Sequence, residues 1–274
     1  RSNMFLDTPL PPEEPTGENP PDGATLDYFL PAAAERVTLE ILDGDGNRVR
    51  VFSSNDRVEV LDPATLPHPT YWIRPPQTLP VASGHHRFVW DLRYDPPPGI
   101  QRGYDIAATY RNTPSDPVGP FVHPGRYTIR LTVDGVVREA PLDVRLDPRV
   151  RIAAKDLELQ TRYSLQLLKA SEAAQRLRDA IDARLGSVTD ARRDDLLALR
   201  GAGAAENPNI SYGSITVAAP GEETVVGLQE KLVYMLKILQ AADARPTTQA
   251  MDAVDALIAR LGVLEERFAA IGRA

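Results

Sequence analysis

The sequence predicts a mixed β and α protein in two parts, an antiparallel β-sandwich followed by an antiparallel helical bundle. Three observations predict it. Proline divides the chain, with twenty of its 25 prolines before residue 125. Because proline is excluded from helix interiors, the first half reads as strands and ordered loops while the second is free to be helical. The apolar pattern has period two as far as Asp147-Pro148 and period 3.6 beyond it. Finally, 274 residues suffice for two ordinary domains, each with its own core.

Residues 1–22 carry PLPPEEPTGENPPDG almost to its end and have little apolar periodicity, so they read as an extended, polyproline-like lead-in. The sandwich is expected over 23–147. ATLDYFL puts Ala24, Leu26, Tyr28 and Leu30 on one face, and VTLEIL does the same with Val37, Leu39 and Ile41. The turn Asp43-Gly44-Asp45-Gly46-Asn47 leads into RVRVF, with Val49 and Val51. HRFVWDLR alternates Phe88, Trp90 and Leu92 with Arg87, Val89, Asp91 and Arg93. RYTIRLTV repeats the pattern with Tyr127, Ile129, Leu131 and Val133. Asp134-Gly135 is a hairpin signal into VVREAPLDVRL, whose inward set reads Ala140, Leu142, Val144 and Leu146. Six or seven short half-buried strands of this kind predict a sandwich.

The bundle is expected over 148–274, with helices over about 153–186, 189–200, 222–243 and 247–271. Leu159, Tyr163, Leu167, Ala170, Ala174, Leu177, Ile181 and Leu185 form one stripe, and Val225, Leu228, Leu232, Met235, Leu239 and Ala242 a second. A third runs through Met251, Val254, Leu257, Leu261, Leu264 and Phe268, after a break at Arg245-Pro246-Thr247 where Thr247 or Thr248 is the N-cap. The weakest helix is 189–200. Residues 201–223 read as a long loop, with a short extended piece at ISYGSITV. The stripes predict helices packed on each other or on the sandwich; a helix-mediated homo-oligomer is the other use of such a face.

Composition excludes several functions. The net charge is −7, with six of the seven excess negatives in residues 1–150, which argues against nucleic acid and anionic membrane as partners. No apolar run approaches the roughly 20 residues that span a bilayer. There is no cysteine, hence no disulfide, thiolate metal site or cysteine nucleophile. The chain opens on Arg1 without a signal peptide, which reads as a piece processed or cut from something longer.

The order GATLDYFLP, VTLEILDGDGNRVRVF, GHHRFVWDLR and PGRYTIRLTVDG resembles the Ig-like module of the flagellar hook-capping protein and of sorting domains in secreted proteins. More narrowly, NPPDGATLDYFLP, YWIRPPQTLP, HRFVWDLRYD and the Pro-Gly-Arg-Tyr-Thr turn resemble the C-terminal region of large secreted bacterial proteins. Those carry a sortilin-type β-propeller of BNR repeats and are labelled glycosyl hydrolase or sialidase-like; a helical segment introduced by DPR, here Asp147-Pro148-Arg149, follows the sandwich. The resemblance covers residues 5–175. It implies an Ig-like fold, secretion or a periplasmic or extracellular location, and an N-terminal propeller as partner in cis. Any hydrolase chemistry of such a parent lies in the propeller, so no catalytic residue carries over.

The motifs in the chain carry little chemistry. Asp43, Asp45 and Asn47 match the first oxygen ligands of an EF-hand loop, but Arg48 and Ser54 stand where that loop needs Gly and Glu, so a hairpin turn is the reading. His85 and His86 point to opposite faces of a strand, and His68 and His123 are isolated, so no metal ligand set and no cofactor is expected. No G-x-S-x-G elbow, P-loop, G-x-G-x-x-G or H-E-x-x-H occurs. Glu40, Asp91, Asp179, Asp182, Asp194 and Asp195 read as outward or solvated acids. No catalytic residue is expected, and the chain is not expected to be an enzyme.

The aromatic loops are the candidate ligand site. Tyr71, Trp72 and Arg74 lie in LDPATLPHPTYWIRPPQTLP, and Tyr104 and Tyr110 in the loop that ends at Phe121 and His123. Loops this long in a sandwich are usually functional or clamped onto something. Two uses fit them. The rings cap the sandwich or dock it onto a neighbour, or else they form a polysaccharide-binding face. The expected function is a non-catalytic structural or interaction module at the C-terminal end of a propeller protein. The alternatives are a carbohydrate-binding accessory module and a fragment with its own hydrolase site.

Overall fold

A computed structural model describes residues 13, 21–58, 60–66, 68–100, 102–104, 111, 113–189, 191–202 and 223–273. Among them the chain is mixed β and α, with two antiparallel sheets and four helices. It divides into two compact units. One comprises Ser2–Asp95 and Arg102–Arg151, the other Pro96–Gln101 and Ile152–Ala274.

The strand unit contains β1 (Ala24–Leu30), β2 (Val37–Leu42), β3 (Arg48–Ser53), β4 (Gly84–Trp90), β5 (Gly125–Val133) and β6 (Val136–Val144). β1 pairs with β4, and the second sheet runs β3-β2-β5-β6. Buried residues of both sheets join one core, with Leu30, Phe88 and Trp90 from the first and Val37, Leu39, Ile41, Tyr127 and Ile129 from the second. Trp90 is fully buried, donates its indole N–H to the Arg93 carbonyl (3.0 Å) and meets Tyr127 edge-on at 5.8 Å. Tyr127, at the start of β5, donates its hydroxyl back to the His123 carbonyl at 2.6 Å.

Local chemistry sets the turns. Asp43 Oδ1 accepts from the backbone N–H of Asp45 (3.0 Å) and Asn47 (2.8 Å), closing the β2–β3 hairpin as an Asx turn. Asp134 and Gly135 both adopt positive φ (47° and 85°), the conformation of a two-residue hairpin turn between β5 and β6. The Asp134 carboxylate also receives the backbone N–H of Arg36 at 2.8 Å, which fixes the start of β2. The outer edge of β4 is covered by the Gln77 side chain. Its amide donates to the Val89 carbonyl (2.9 Å) and its oxygen accepts the Val89 N–H (2.8 Å), standing in for a missing strand.

The inward set expected on β6 needs correcting. Leu142, Val144 and Leu146 are half-buried, but Ala140 is exposed, as are Val136 and Val137. β6 is the edge of the four-stranded sheet, and of its residues only Leu142 and Val144 pack against the buried core.

The helical unit contains α1 (Ala154–Leu185), α2 (Arg192–Arg200), α3 (Val225–Gln240) and α4 (Thr248–Arg273). Its core is aliphatic, with Leu167, Ala174, Leu177 and Ile181 of α1 meeting Leu196, Leu199, Leu228, Leu232, Val254, Leu261 and Leu264. Thr224 caps α3 by accepting the Gly227 N–H (3.1 Å), and Thr247 caps α4 by accepting the Ala250 N–H (3.2 Å). In the early turns of α1 the expected stripe shifts. Leu159 and Tyr163 are half-buried, whereas Gln160 and Ser164 are buried. The Gln160 amide donates to the carbonyls of Leu239 and Ala242 (both 2.6 Å), and Ser164 Oγ accepts from Gln240 at 2.7 Å. Gln160 thereby takes up two carbonyls at the end of α3, and Ser164 holds the side chain of its last residue. Gly99 (φ +75°) lies against the Gln175 amide, where a Cβ would collide with it. The expected lead-in, apart from Glu13, Pro21 and Asp22, and the ISYGSITV segment lie outside the described residues.

Candidate functional site

The aromatic loop begins with a 3-10 turn at Asp62, whose carboxylate accepts the Ala64 N–H (2.9 Å), and forms a second at Thr70–Trp72. From Trp72 the backbone pairs with the other long loop. The Thr113 N–H donates to the Trp72 carbonyl (3.2 Å) and the Arg74 N–H to the Thr113 carbonyl (2.8 Å), with Thr113 fully buried. His68 is buried, and its Nε2 lies 2.8 Å from the Tyr104 carbonyl, which requires the proton on Nε2 because a carbonyl only accepts. Arg93 stacks over Phe121 at 3.5 Å and donates to the Gly119 carbonyl (2.8 Å). Gly119 lies against the Tyr94 carbonyl, leaving no room for a Cβ. The two insertions are thus stitched together by backbone and side-chain bonds.

The five candidate residues separate within this arrangement. Trp72 is only 8% exposed, while its neighbour Tyr71 is 50% exposed. Their rings are 5.3 Å apart and tilted by 47°, so they do not form a flat double platform. Tyr71 and Arg74 line an open groove of about 430 Å³ together with Ile73, Pro75, Pro76 and Arg111. Arg74 also lies 3.8 Å from the Asp22 carboxylate. Tyr104 is half-buried and reaches the loop through its carbonyl. Tyr110 lies outside the described residues. Arg111 is the groove residue that sequence reading missed. It sits at φ +56°, a left-handed conformation uncommon for a side-chain-bearing residue, and no motif marks it.

Two charged clusters lie elsewhere. In the strand unit Asp91 and Asp95 converge on one guanidinium, that of Arg50, at 3.5 and 3.1 Å. Arg50 also donates to the Tyr94 carbonyl (2.9 Å). Burial pushes the Asp95 carboxyl up, and Arg50 works against that shift. An arginine shared between two acids makes an ion-paired lock. In the helical unit Glu223, just before the α3 cap, receives Lys231 Nζ at 2.7 Å and Arg260 at 3.3 Å, and its carbonyl accepts from Arg267 (3.0 Å). Glu223 and Lys231 are both buried, and the cluster ties the start of α3 to α4.

Among the described residues no group of three or more His, Asp or Glu side chains is arranged to hold a metal ion, and no helix is long and apolar enough to cross a membrane. Both Asp43 oxygens accept bonds from within their own turn. No protein-family model, no curated protein and no solved structure matches the chain.

Proposed function

We propose that this chain is a non-catalytic interaction module, an Ig-type β-sandwich with a helical bundle, forming the C-terminal end of a larger secreted propeller protein and docking onto that propeller in cis. The fold part of the reading is supported by strand order. A two-stranded β1-β4 sheet beside β3-β2-β5-β6 follows the B-E and C′-C-F-G arrangement of immunoglobulin-type sandwiches. In that correspondence Tyr127 opens strand F and bonds back to the chain four residues upstream, as in a tyrosine corner. Secretion and the propeller partner rest on the sequence resemblance alone.

The observation that carries the functional reading is the burial of Trp72, whose carbonyl is paired to Thr113. A ring enclosed by its own loops contributes to packing. The acids Asp91 and Asp95 are bridged by Arg50, so this pair is not held apart across a substrate space. Two measurements test the reading. Iodide should leave the emission of both tryptophans largely unquenched, and the chain should turn over none of a panel of nitrophenyl glycosides. Ready quenching of half the emission would show an open aromatic loop. Turnover abolished by Asp91→Asn or Asp95→Asn would make the chain a hydrolase.

A second reading, a carbohydrate-binding accessory module, is favoured by one observation. Tyr71 presents half of its surface to solvent on the wall of the groove.

A further inference from the structure

We infer that the groove beside Tyr71 binds a carboxylate-bearing sugar, a uronic-acid unit of an acidic polysaccharide. This rests on the carbohydrate-binding reading and adds the charge of the ligand. The groove's volume of about 430 Å³ falls within the range of small-ligand sites, roughly 300–1,000 Å³. Tyr71 offers an aromatic surface of the kind that packs on the apolar face of a pyranose. Pro75 and Pro76 form a stiff wall that loses little freedom when a ligand settles.

The charge argument selects the acid. Arg74 and Arg111 both line the groove, and among the described residues no acid lines it. A guanidinium fork matches a carboxylate in shape as well as charge. The surrounding half of the chain is acidic, so these arginines are not part of a general basic surface that would attract any polyanion. The chain's own Asp22, 79% exposed, rests 3.8 Å from Arg74, so this guanidinium already faces a carboxylate at the rim. Arg111 is held in its uncommon left-handed conformation at the same groove, where strained residues often serve a ligand.

Isothermal titration of the full chain with oligogalacturonate, oligomannuronate, fully methyl-esterified oligogalacturonate and poly-glutamate tests this. The acidic sugars should bind, and the methyl ester should bind about tenfold or more weakly, since each lost charge-assisted bond costs on that order. Arg111→Gln and Tyr71→Ala should each weaken the acidic sugars by a similar factor, with the far-UV circular dichroism unchanged. Equal binding of acid and ester would overturn the inference while leaving carbohydrate binding standing, and binding by no sugar would overturn both. Equal binding of poly-glutamate would show a charge patch with no sugar selectivity. Undiminished binding by Arg111→Gln, or by a second variant Arg74→Gln, would remove the groove as the site.

Discussion

The strand unit and the helical unit solve the same problem, burying an apolar face, with different chemistry. The strand core is aromatic and β-branched, centred on Trp90, Phe88 and Tyr127, and each of the two polar-tipped rings finds a backbone carbonyl. The helical core is almost entirely Leu, Ala, Ile and Val, and three of its buried polar groups, Gln160, Ser164 and Glu223, bond around the two ends of α3. The difference follows from where each element leaves backbone groups unpaired. A helix exposes them only at its termini. A small pair of sheets leaves long edges and connections, and the loops must meet them, as Gln77 does along β4.

The sharpest way to break this comparison is at the strand core. Trp90→Ala removes a fully buried ring and strands the Arg93 carbonyl, and should cost about 3–5 kcal/mol in urea unfolding followed by near-UV circular dichroism. A loss under about 1 kcal/mol would mean that the two sheets do not share a core centred on this ring.

The helical counterpart is electrostatic. Glu223→Ala leaves Lys231 buried without its partner and should cost roughly 3 kcal/mol, read from the midpoint of helix unfolding at 222 nm. Adding Lys231→Met should restore most of that loss, because an apolar side chain of similar length needs no counter-charge. If the double variant is no better than the single one, Glu223 matters through Arg260 and Arg267 instead.

The smallest effect is confined to alkaline pH. Burial pushes the Tyr28 hydroxyl up to about 12 and raises that of Tyr127 as well, while both donate to backbone carbonyls. A pKa raised on folding means that the stabilisation is complete below the unfolded value near 10 and is lost as pH climbs through the folded value. Strand-unit stability should therefore be flat up to about pH 10 and decline towards about pH 12. Burial raises the Tyr94 hydroxyl too, so absorbance at 295 nm should show at least these three of the nine tyrosines ionising late, and Tyr127→Phe should remove part of the decline. Simultaneous ionisation of all tyrosines near pH 10 would mean that these hydroxyls are open to water.

Much of the architecture was legible because each unit repeats a single period. The alternating stretches from ATLDYFL to VVREAPLDV are the six strands, and the three 3.6-residue stripes run through α1, α3 and α4. Legibility failed where one residue serves a distant partner. Nothing local marks Gln160 or Ser164 as buried, since their burial depends on the end of α3 about eighty residues away. Ala140 follows the period of an inward residue yet is exposed, because its fate depends on how far the shared core extends along an edge strand. In the candidate site, composition picked out Tyr71, Trp72 and Arg74 together, but a ring's identity does not say whether it faces water.

By itself the sequence determined the division into a proline-rich strand half and a proline-poor helical half, the hairpin turns and the faces of most elements. These are local consequences of φ restriction, turn chemistry and side-chain period, all acting within a few residues. Only the tertiary structure decided that Trp72 is enclosed while Tyr71 is open, that Arg111 joins Arg74 on one groove, and that Glu223 gathers cations from α3 and α4. Each of these is a meeting of residues far apart in the chain, settled by which backbone groups the loops and helix ends had to satisfy.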